Sequence, residues 1–239
     1  MPNPYFQFKK FIVYQDQSAM KVTTDACLFG AWCAREIENG EWKMTNLLDI
    51  GTGTGLLSLM IAQKNNVVID AVEIDVLTAE QAAVNVASSP FKDQIKIINT
   101  DILDFTQEGY DVIVSNPPFY ENELESPSGE KNRAHHGHKL IWKKLFNIIN
   151  KKLTDRGKFF LLLPYKRKDD LETLLKKEKL FANNIVLIKQ SIQHSSFRIL
   201  LQGSKQKEES LRTELAICDE HKNYTPEFID LLKDYYLYL

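Results

Sequence analysis

The residues best suited to chemistry form a short run, Asn116-Pro117-Pro118-Phe119, which follows an apolar stretch. An amide or exocyclic base nitrogen is a poor nucleophile because its lone pair is delocalised. The side-chain oxygen of Asn116 and the carbonyl of Pro117 can accept its two N–H protons, which directs the lone pair outward and stabilises the developing positive charge. Phe119 offers a ring face for stacking. The run predicts methyl transfer to a planar amino group, although a bare Asn-Pro-Pro is also typical of a turn.

A glycine-rich segment, Gly51-Thr52-Gly53-Thr54-Gly55, directly follows Asp49 and Ile50 at the end of a short apolar run. Glycines allow the chain to turn tightly and a ligand to approach the backbone closely. The spacing is GxGxG rather than the GxGxxG of dinucleotide sites, which favours S-adenosylmethionine over a nicotinamide cofactor. We therefore expect Asp49, Gly51, Gly53 and Gly55 to contact the cofactor, with a purely structural glycine turn as the alternative.

Two acidic residues strengthen the cofactor interpretation. Glu73 ends the next predicted strand, about twenty residues after the glycines, where a carboxylate can accept both ribose hydroxyls. Asp101 follows the third predicted strand, where a carboxylate can accept an adenine amino group. Either acid alone would be typical of a solvated turn, but together they predict an adenosine pocket that includes the neighbouring Ile74 and Ile102.

Alternating strands and helices are needed to position these residues. The predicted strands are 47–50, 67–72, 95–98, 110–115, 158–163, 185–190, 197–202 and 211–218. The predicted helices are 24–35, capped by Thr24 or Asp25, and 56–64, 78–87, 140–153, 169–178 and 225–236. The alternation predicts an α/β fold with a mostly parallel twisted sheet, helices on both faces and an antiparallel hairpin at one edge. Ligands bind at the carboxyl ends of such strands, so Asn116 should face the transferred methyl group.

Composition limits the classes of protein that remain. The 239 residues carry a net charge of −2, which argues against a globally basic nucleic-acid-binding protein. No apolar run is long enough for a transmembrane helix, and the first residues lack the core of a signal peptide, so we expect a cytoplasmic protein without membrane contact. Three cysteines without a CxxC pair argue against disulfides and structural zinc. We expect one domain over 1–239, in which 1–45 covers the cofactor and substrate and 46–239 forms the core.

Local basic and aromatic residues are candidates for contact with a nucleic acid. The expected substrate-binding residues are Phe119, Tyr120, Arg133, Lys9, Lys10 and Arg167. Lys143, Lys144, Lys151 and Lys152 are expected on the solvated face of a helix. Three histidines, His135, His136 and His138, lie in a long polar loop predicted over 121–138, but no cysteine or carboxylate stands at ligand spacing. We therefore expect no metal site.

The motifs together resemble the class I Rossmann-like methyltransferases with an (N/D/S)PP(Y/F/W) motif. The segment from Met20 to Trp32 resembles M-K-V-x-T-D-x-x-L-x-G-A-W, the hallmark of the bacterial tRNA1(Val) adenine-37 N6-methyltransferase family. The resemblance extends through Arg133-Ala134-His135-His136 and Tyr224-Thr225-Pro226-Glu227-Phe228, so it covers the chain nearly end to end. The resemblance implies that Lys21, Thr24 and Asp25 fold over S-adenosylmethionine, with S-adenosylhomocysteine as product. It also implies a target adenine in a tRNA anticodon loop, and no obligate protein partner. One departure is the order Phe119-Tyr120, where the family commonly has Tyr then Phe.

Other interpretations remain open at the level of sequence. A glutamine side chain presents the same planar NH2, so a protein glutamine methyltransferase, or an enzyme acting on another RNA or DNA amino group, would need a similar run. A cofactor-binding module without activity is a further possibility. Intact Asn116 to Phe119 disfavours the module. The segment 21–32 and the lack of a separate peptide-binding domain disfavour the glutamine enzyme.

Overall fold

Strands and helices alternate through most of the chain, as the sequence predicts. The computed structural model describes residues 3–18, 20–40, 45–118 and 131–239, without the side chains of 131–141. The strands are β1 Tyr5–Gln7, β2 Ile12–Tyr14, β3 Asn46–Ile50, β4 Val68–Glu73, β5 Ile95–Asn99, β6 Tyr110–Ser115, β7 Leu153–Pro164, β8 Phe181–Ser191, β9 Ser196–Ser204 and β10 Leu211–Cys218. The helices are α1 Thr24–Asn39, α2 Leu56–Ala62, α3 Val76–Ala87, α4 Lys131–Lys152, α5 Lys168–Glu178 and α6 Pro226–Leu232.

The central sheet has eight strands in the order β10-β8-β9-β7-β6-β3-β4-β5. Within the described sheet, only β9 runs against its neighbours β7 and β8. The predicted mostly parallel sheet and the predicted hairpin, β8–β9, are thus confirmed. The hairpin lies one strand inside the edge rather than at it, because β10 adds outside β8 in parallel. Since β9 already has a neighbour on each side, β10 can only continue the sheet at β8.

Helices cover both faces of the sheet, and strand β7 carries apolar side chains on both of its faces to pack against them. Successive side chains of a strand point to opposite faces. Phe160 packs edge-on against Trp32 of α1, while Phe159 packs edge-on against Phe146 of α4. One core therefore lies under α1, α2 and α6, and a second lies under α4 and α5. Among the helices of the described ranges, none has the length and apolarity needed to span a membrane.

The strand order reverses between β3 and β6, which makes this position the topological switch point of the sheet. From β3 the chain moves outward through β4 to β5, and then it returns to β6 on the other side of β3. Open parallel sheets bind ligands at such a switch point, beside the carboxyl ends of the strands. The hydroxyl of Ser115, the last residue of β6, donates a 2.8 Å hydrogen bond to the carbonyl of Ile50, the last residue of β3. This bond fixes the start of the Asn116 segment relative to the glycine loop.

Asp49 connects the glycine loop to the start of α2 through buried hydrogen bonds. It is fully buried, and its Oδ2 accepts hydrogen bonds of 2.7 Å from the hydroxyls of Thr52 and Ser58. Its Oδ1 is buried without a hydrogen-bond partner among the described residues. Burial raises the pKa of Asp49 from 3.8 to about 6, the two hydroxyl bonds oppose this rise, and the nearby Glu73 charge adds to it.

The N-terminal segment is tied to the glycine loop through α3. The amide group of Asn85, a fully buried residue, accepts from the N–H of Tyr14 and donates to the carbonyls of Tyr14 and Thr54, each at 2.9 Å. One turn earlier, Gln81 accepts from the N–H of Gln17 at 3.1 Å. The side-chain oxygen of Gln15 accepts from the N–H of Val22 at 2.7 Å. These bonds hold the chain that leads into α1 against the start of the site.

Several helix boundaries differ from the prediction, and α1 continues to Asn39 instead of ending at residue 35. The cap of α1 is Thr23, whose hydroxyl accepts from the N–H of Ala26, and neither Thr24 nor Asp25 takes that position. The predicted loop over 121–138 is wrong beyond residue 130, because α4 already begins at Lys131. Helix α6 ends at Leu232 instead of Tyr236. The polar composition of 131–139 hides its helical conformation, since the apolar spacing that indicates a buried face begins only near residue 140.

We expect Asp49→Asn to change the pH dependence of stability. The folded pKa of Asp49 lies above its ordinary value, so the acid favours folding below about pH 4, and this contribution is lost as pH rises through 6. Asparagine cannot titrate. The unfolding free energy of the wild type minus that of the variant should therefore fall by roughly 2 kcal/mol between pH 4 and 7. Urea unfolding at both pH values measures this difference, and a constant difference would contradict the assignment.

We expect Asn85→Ala to lower the unfolding free energy by roughly 2–3 kcal/mol, because one buried and two partly buried main-chain groups lose their partner. Hydrogen exchange at the Tyr14 amide should accelerate while strand β7 remains protected. The matched control is Asn223→Ala in an exposed turn, which should cost much less. Unchanged exchange at Tyr14 would show that Asn85 does not anchor this segment.

Candidate active site

The glycine loop presents its backbone to open space at the end of β3. Gly51, Gly53 and Gly55 have φ angles of 70°, 58° and 82°, a left-handed conformation that other residues rarely adopt. A Cβ atom added at Gly51 or Gly53 would meet no described atom within 4 Å. These two glycines are therefore required for their conformation, and the loop leaves room for a ligand to lie against its main chain.

Glu73 lies beside this loop with a fixed orientation. Its Oε2 accepts from the N–H of Gly53 at 2.9 Å, and its Oε1 accepts from the N–H of Asp75 at 3.0 Å. Asp75 in turn caps α3 by accepting from Thr78, and this hydrogen bond lowers the pKa of Asp75. An ionised carboxylate has about four acceptor positions. Glu73 thus keeps acceptor capacity for two further hydroxyl groups while its side chain is already immobilised.

Asp101 and two isoleucines line the neighbouring part of the same edge. Asp101 lies two residues after β5 and is half-buried, and its Oδ1 accepts from the N–H of Leu103 at 2.9 Å. Ile102 is half-buried against the core under α4, whereas the side chain of Ile74 is 64% exposed beside Glu73. This combination of one carboxylate with exposed aliphatic surface suits a flat heterocycle that carries an amino group.

Asn116 stands directly after β6, on the other side of the switch point. The residue is half-buried, and its Oδ1 is buried without a hydrogen-bond partner in the part of the chain that the structure describes. Pro117 is buried and Pro118 is exposed; neither has an N–H that could satisfy the oxygen. Phe119, Tyr120 and Arg133, the predicted stacking and substrate-binding residues, lie outside the described residues or side chains.

An ion pair that the sequence analysis missed joins α1 to β9 at this edge. Arg198 donates through Nε to Oδ2 of Asp25 at 2.7 Å, and both side chains are largely buried. In the antiparallel pairing of β7 with β9, Arg198 lies opposite Pro164, the last residue of β7. Arg198 is therefore at the carboxyl edge of the parallel strands. The only signal in the sequence is an arginine within the apolar stretch 197–201. Its partner, 173 residues away, could not be inferred.

The N-terminal residues expected to contact the cofactor serve local structure. The Lys21 ammonium donates to the main-chain carbonyls of Gln15 and Ser18, which closes the loop that precedes α1. Thr24 is exposed in the first turn of α1, and both carboxylate oxygens of Asp25 already hold protein donors. None of these contacts reaches the glycine loop directly. The link to that loop is made by Asn85, which the sequence analysis did not single out.

The predicted basic residues whose side chains the structure describes, Lys9, Lys10 and Arg167, have their described contacts in different places. The Lys9 ammonium donates to the carbonyl of Lys233 at 2.5 Å, beside the C-terminal helix, while Lys10 is exposed nearby. Arg167 lies three residues after β7 and pairs with Asp170 at 3.1 Å. No described contact connects Lys9 or Lys10 with Asn116. Among the described side chains, no three histidines, cysteines or acids gather as metal ligands.

Comparison with known proteins agrees with this geometry. A family model described as methyltransferase small domain matches residues 34–191. The chain is 36% identical over 245 residues to a Parabacteroides distasonis protein named tRNA1(Val) (adenine(37)-N6)-methyltransferase, with 99% of each chain covered. A protein of the same name from Phocaeicola vulgatus is 39% identical over 238 residues, again with 99% of each covered.

A solved structure supports the fold. A predicted O-methyltransferase from Agrobacterium tumefaciens superposes with a TM-score of 0.69 at 15% identity, covering 88% of this chain and 96% of its own. Such low identity shows the fold alone, which is that of the Rossmann-like class I methyltransferases. The two long relatives cover the whole site region, including the glycine loop, Glu73 and Asn116. The chain belongs to the tRNA1(Val) (adenine(37)-N6)-methyltransferase family.

Proposed function

We propose that the protein transfers the methyl group of S-adenosylmethionine to N6 of an adenine in a tRNA anticodon loop, adenine 37 of a valine tRNA. The observation that carries this proposal is the buried Oδ1 of Asn116, which has no partner among the described residues. A buried acceptor without a donor costs about 1–3 kcal/mol. An incoming amino group would supply the missing donor, and a tRNA substrate would place the reaction in the cytoplasm.

The acceptor geometry suits the activation of an amino group. Asn116 and the Pro117 carbonyl lie on consecutive residues, so they can accept the two protons of a single NH2. The bonds strengthen as positive charge develops on the nitrogen, and this favours the transition state over the ground state. The hydrogen bond from Ser115 to Ile50 holds both acceptors in register with the glycine loop. Positioning of this kind supplies much of the acceleration in a two-substrate transfer.

The opposite side of the switch point fits S-adenosylmethionine. When bound, the cofactor supplies an electrophilic methyl group on a sulfonium. The open backbone around Gly51 and Gly53 would lie against its amino-acid part. Glu73 would accept from the ribose hydroxyls, and Asp101 would accept from the adenine amino group. The buried, unpartnered Oδ1 of Asp49 is an acceptor that could orient the loop main chain or meet the cofactor's ammonium group.

The choice of adenine over glutamine rests on the relatives. A glutamine amide presents the same NH2 geometry, so Asn116 alone suits both substrates. Two relatives that span 99% of the chain are named for methylation of adenine 37 in tRNA1(Val), and this supports the nucleic-acid substrate.

We expect Asn116→Ala to lower turnover by at least about 100-fold, because the transition state loses one charge-stabilising acceptor. Cofactor affinity should change little, since Asn116 faces the substrate. Methyl transfer to unmodified tRNA measures the first effect, and calorimetric titration with S-adenosylhomocysteine measures the second. Turnover within threefold of the wild type would refute the proposed role of Asn116.

The substrate is tested with labelled S-adenosylmethionine and three acceptors: unmodified valine tRNA, the same tRNA with guanine in place of adenine 37, and a translation release factor. We expect label in the first RNA alone, mapped to N6-methyladenine. Label in the release factor alone would establish the glutamine enzyme. Equal label in both RNAs would contradict position 37, and absence of label from all three acceptors would contradict the proposed reaction.

A further inference from the structure

A groove lies between α4 and α5, outside the site described above. Its cavity volume is about 230 Å³. The floor is apolar and includes the buried Trp142 and the half-buried Leu174. The rim carries Lys143, Arg167, Asp170 and Lys177. An apolar floor under a charged rim is typical of a binding surface rather than of a packing defect.

The rim has an excess of positive charge. Among the described side chains that line the groove, three cations face one carboxylate, Asp170, which pairs with Arg167 at 3.1 Å; the carboxylate of Glu178 acts on Lys177 from beside the rim. Two exposed lysines, Lys143 and Lys177, remain side by side at the other end of the rim. Contact with the Lys143 ammonium lowers the pKa of Lys177, as expected when two like charges share one location. An anion between them would remove this repulsion, in a chain whose net charge is −2.

The groove extends away from the catalytic edge of the sheet. Arg167 lies three residues after β7, which is the neighbour of β6, the strand that leads into Asn116. From Arg167 to Lys177 the rim follows α5 for about 15 Å, because a helix rises about 1.5 Å per residue. A polyanion whose reactive part reaches Asn116 can therefore continue along this groove.

The size of the groove decides what kind of ligand fits. A volume of about 230 Å³ is below the roughly 300–1,000 Å³ of pockets that enclose a whole small molecule. It suits a section of a longer chain. The charge excess selects a chain of negative groups, and phosphate contacts by lysine provide the sequence-independent part of RNA binding.

We propose that the groove between α4 and α5 binds backbone phosphates of the RNA next to the target nucleotide, with Lys143 and Lys177 as the phosphate contacts. This inference rests on the proposed function. Lys143 is exposed on α4, as predicted for a solvated helix face. Lys177 lies next to Lys143 across the groove, so both ammonium groups can bind the same phosphate.

The test compares the double variant Lys143→Glu/Lys177→Glu with the control Lys92→Glu/Lys96→Glu. The control makes the same charge change at two exposed lysines, in and just before strand β5 at the far edge of the sheet. Binding of unmodified tRNA is measured by fluorescence anisotropy at several salt concentrations. We expect the groove variant to bind at least about tenfold more weakly than the control, with a salt slope lower by about two. The variant Lys143→Arg/Lys177→Arg should retain near wild-type affinity.

Each contrary outcome identifies what has failed. Equal tRNA affinity of the groove variant and the control, while the wild type methylates tRNA, would overturn the groove assignment alone. Label in the release factor and none in tRNA would overturn the proposed function, and the groove assignment with it. Inorganic phosphate is added separately to the protein without RNA. If phosphate stabilises the wild type but not the groove variant, while tRNA affinity is unchanged, the groove binds small anions and the RNA assignment is wrong. Thermal melting confirms that all variants are folded.

Discussion

The parallel pairing of β3 with β6 is the constraint on which the rest of the site depends. Leu47 to Asp49 lie in register with Val112 to Val114, so both strands end at the same level. The glycine loop leaves one strand and Asn116 leaves the other, and the bond from Ser115 to Ile50 joins the two ends. A shift of one residue in this register would turn every side chain of β6 to the other face and separate the acceptor from the loop.

Buried hydrogen bonds, more than surface charge pairs, hold the segments around the site. Asn85 satisfies the buried carbonyl of Thr54, which would cost about 1–3 kcal/mol if left unpaired, and the partly buried N–H and carbonyl of Tyr14. The exposed pair between Arg35 and Asp230 belongs to a class worth about 0–1 kcal/mol. The pair between Arg198 and Asp25 lies between these cases, because both side chains are mostly shielded from water. The site is therefore framed by amide groups from helices and by one shielded ion pair.

Local signals explain which parts of this arrangement could be predicted from sequence. Glycine spacing, apolar runs and acids at strand ends depend on residues close together in the chain. They predicted the sheet correctly and gave Glu73 as a candidate cofactor residue. Asn85 and Arg198 act on partners 71 and 173 residues away, and no local pattern encodes such contacts. The early start of α4 was missed because its first turns carry no apolar stripe. The segment 20–32 also does not indicate that both carboxylate oxygens of Asp25 accept hydrogen bonds from the protein itself.

The double hydrogen bonding of Glu73 has a consequence for selectivity among nucleotides. Its carboxylate is held by two main-chain N–H groups and cannot swing away from an approaching ligand. In the proposed binding mode, a ribose with free 2′ and 3′ hydroxyls would donate to this carboxylate, whereas a phosphate on either of those hydroxyls would bring a second negative charge against it. Glu73 would then select against nucleosides phosphorylated at the 2′ or 3′ position, without distinguishing those phosphorylated at the 5′ position.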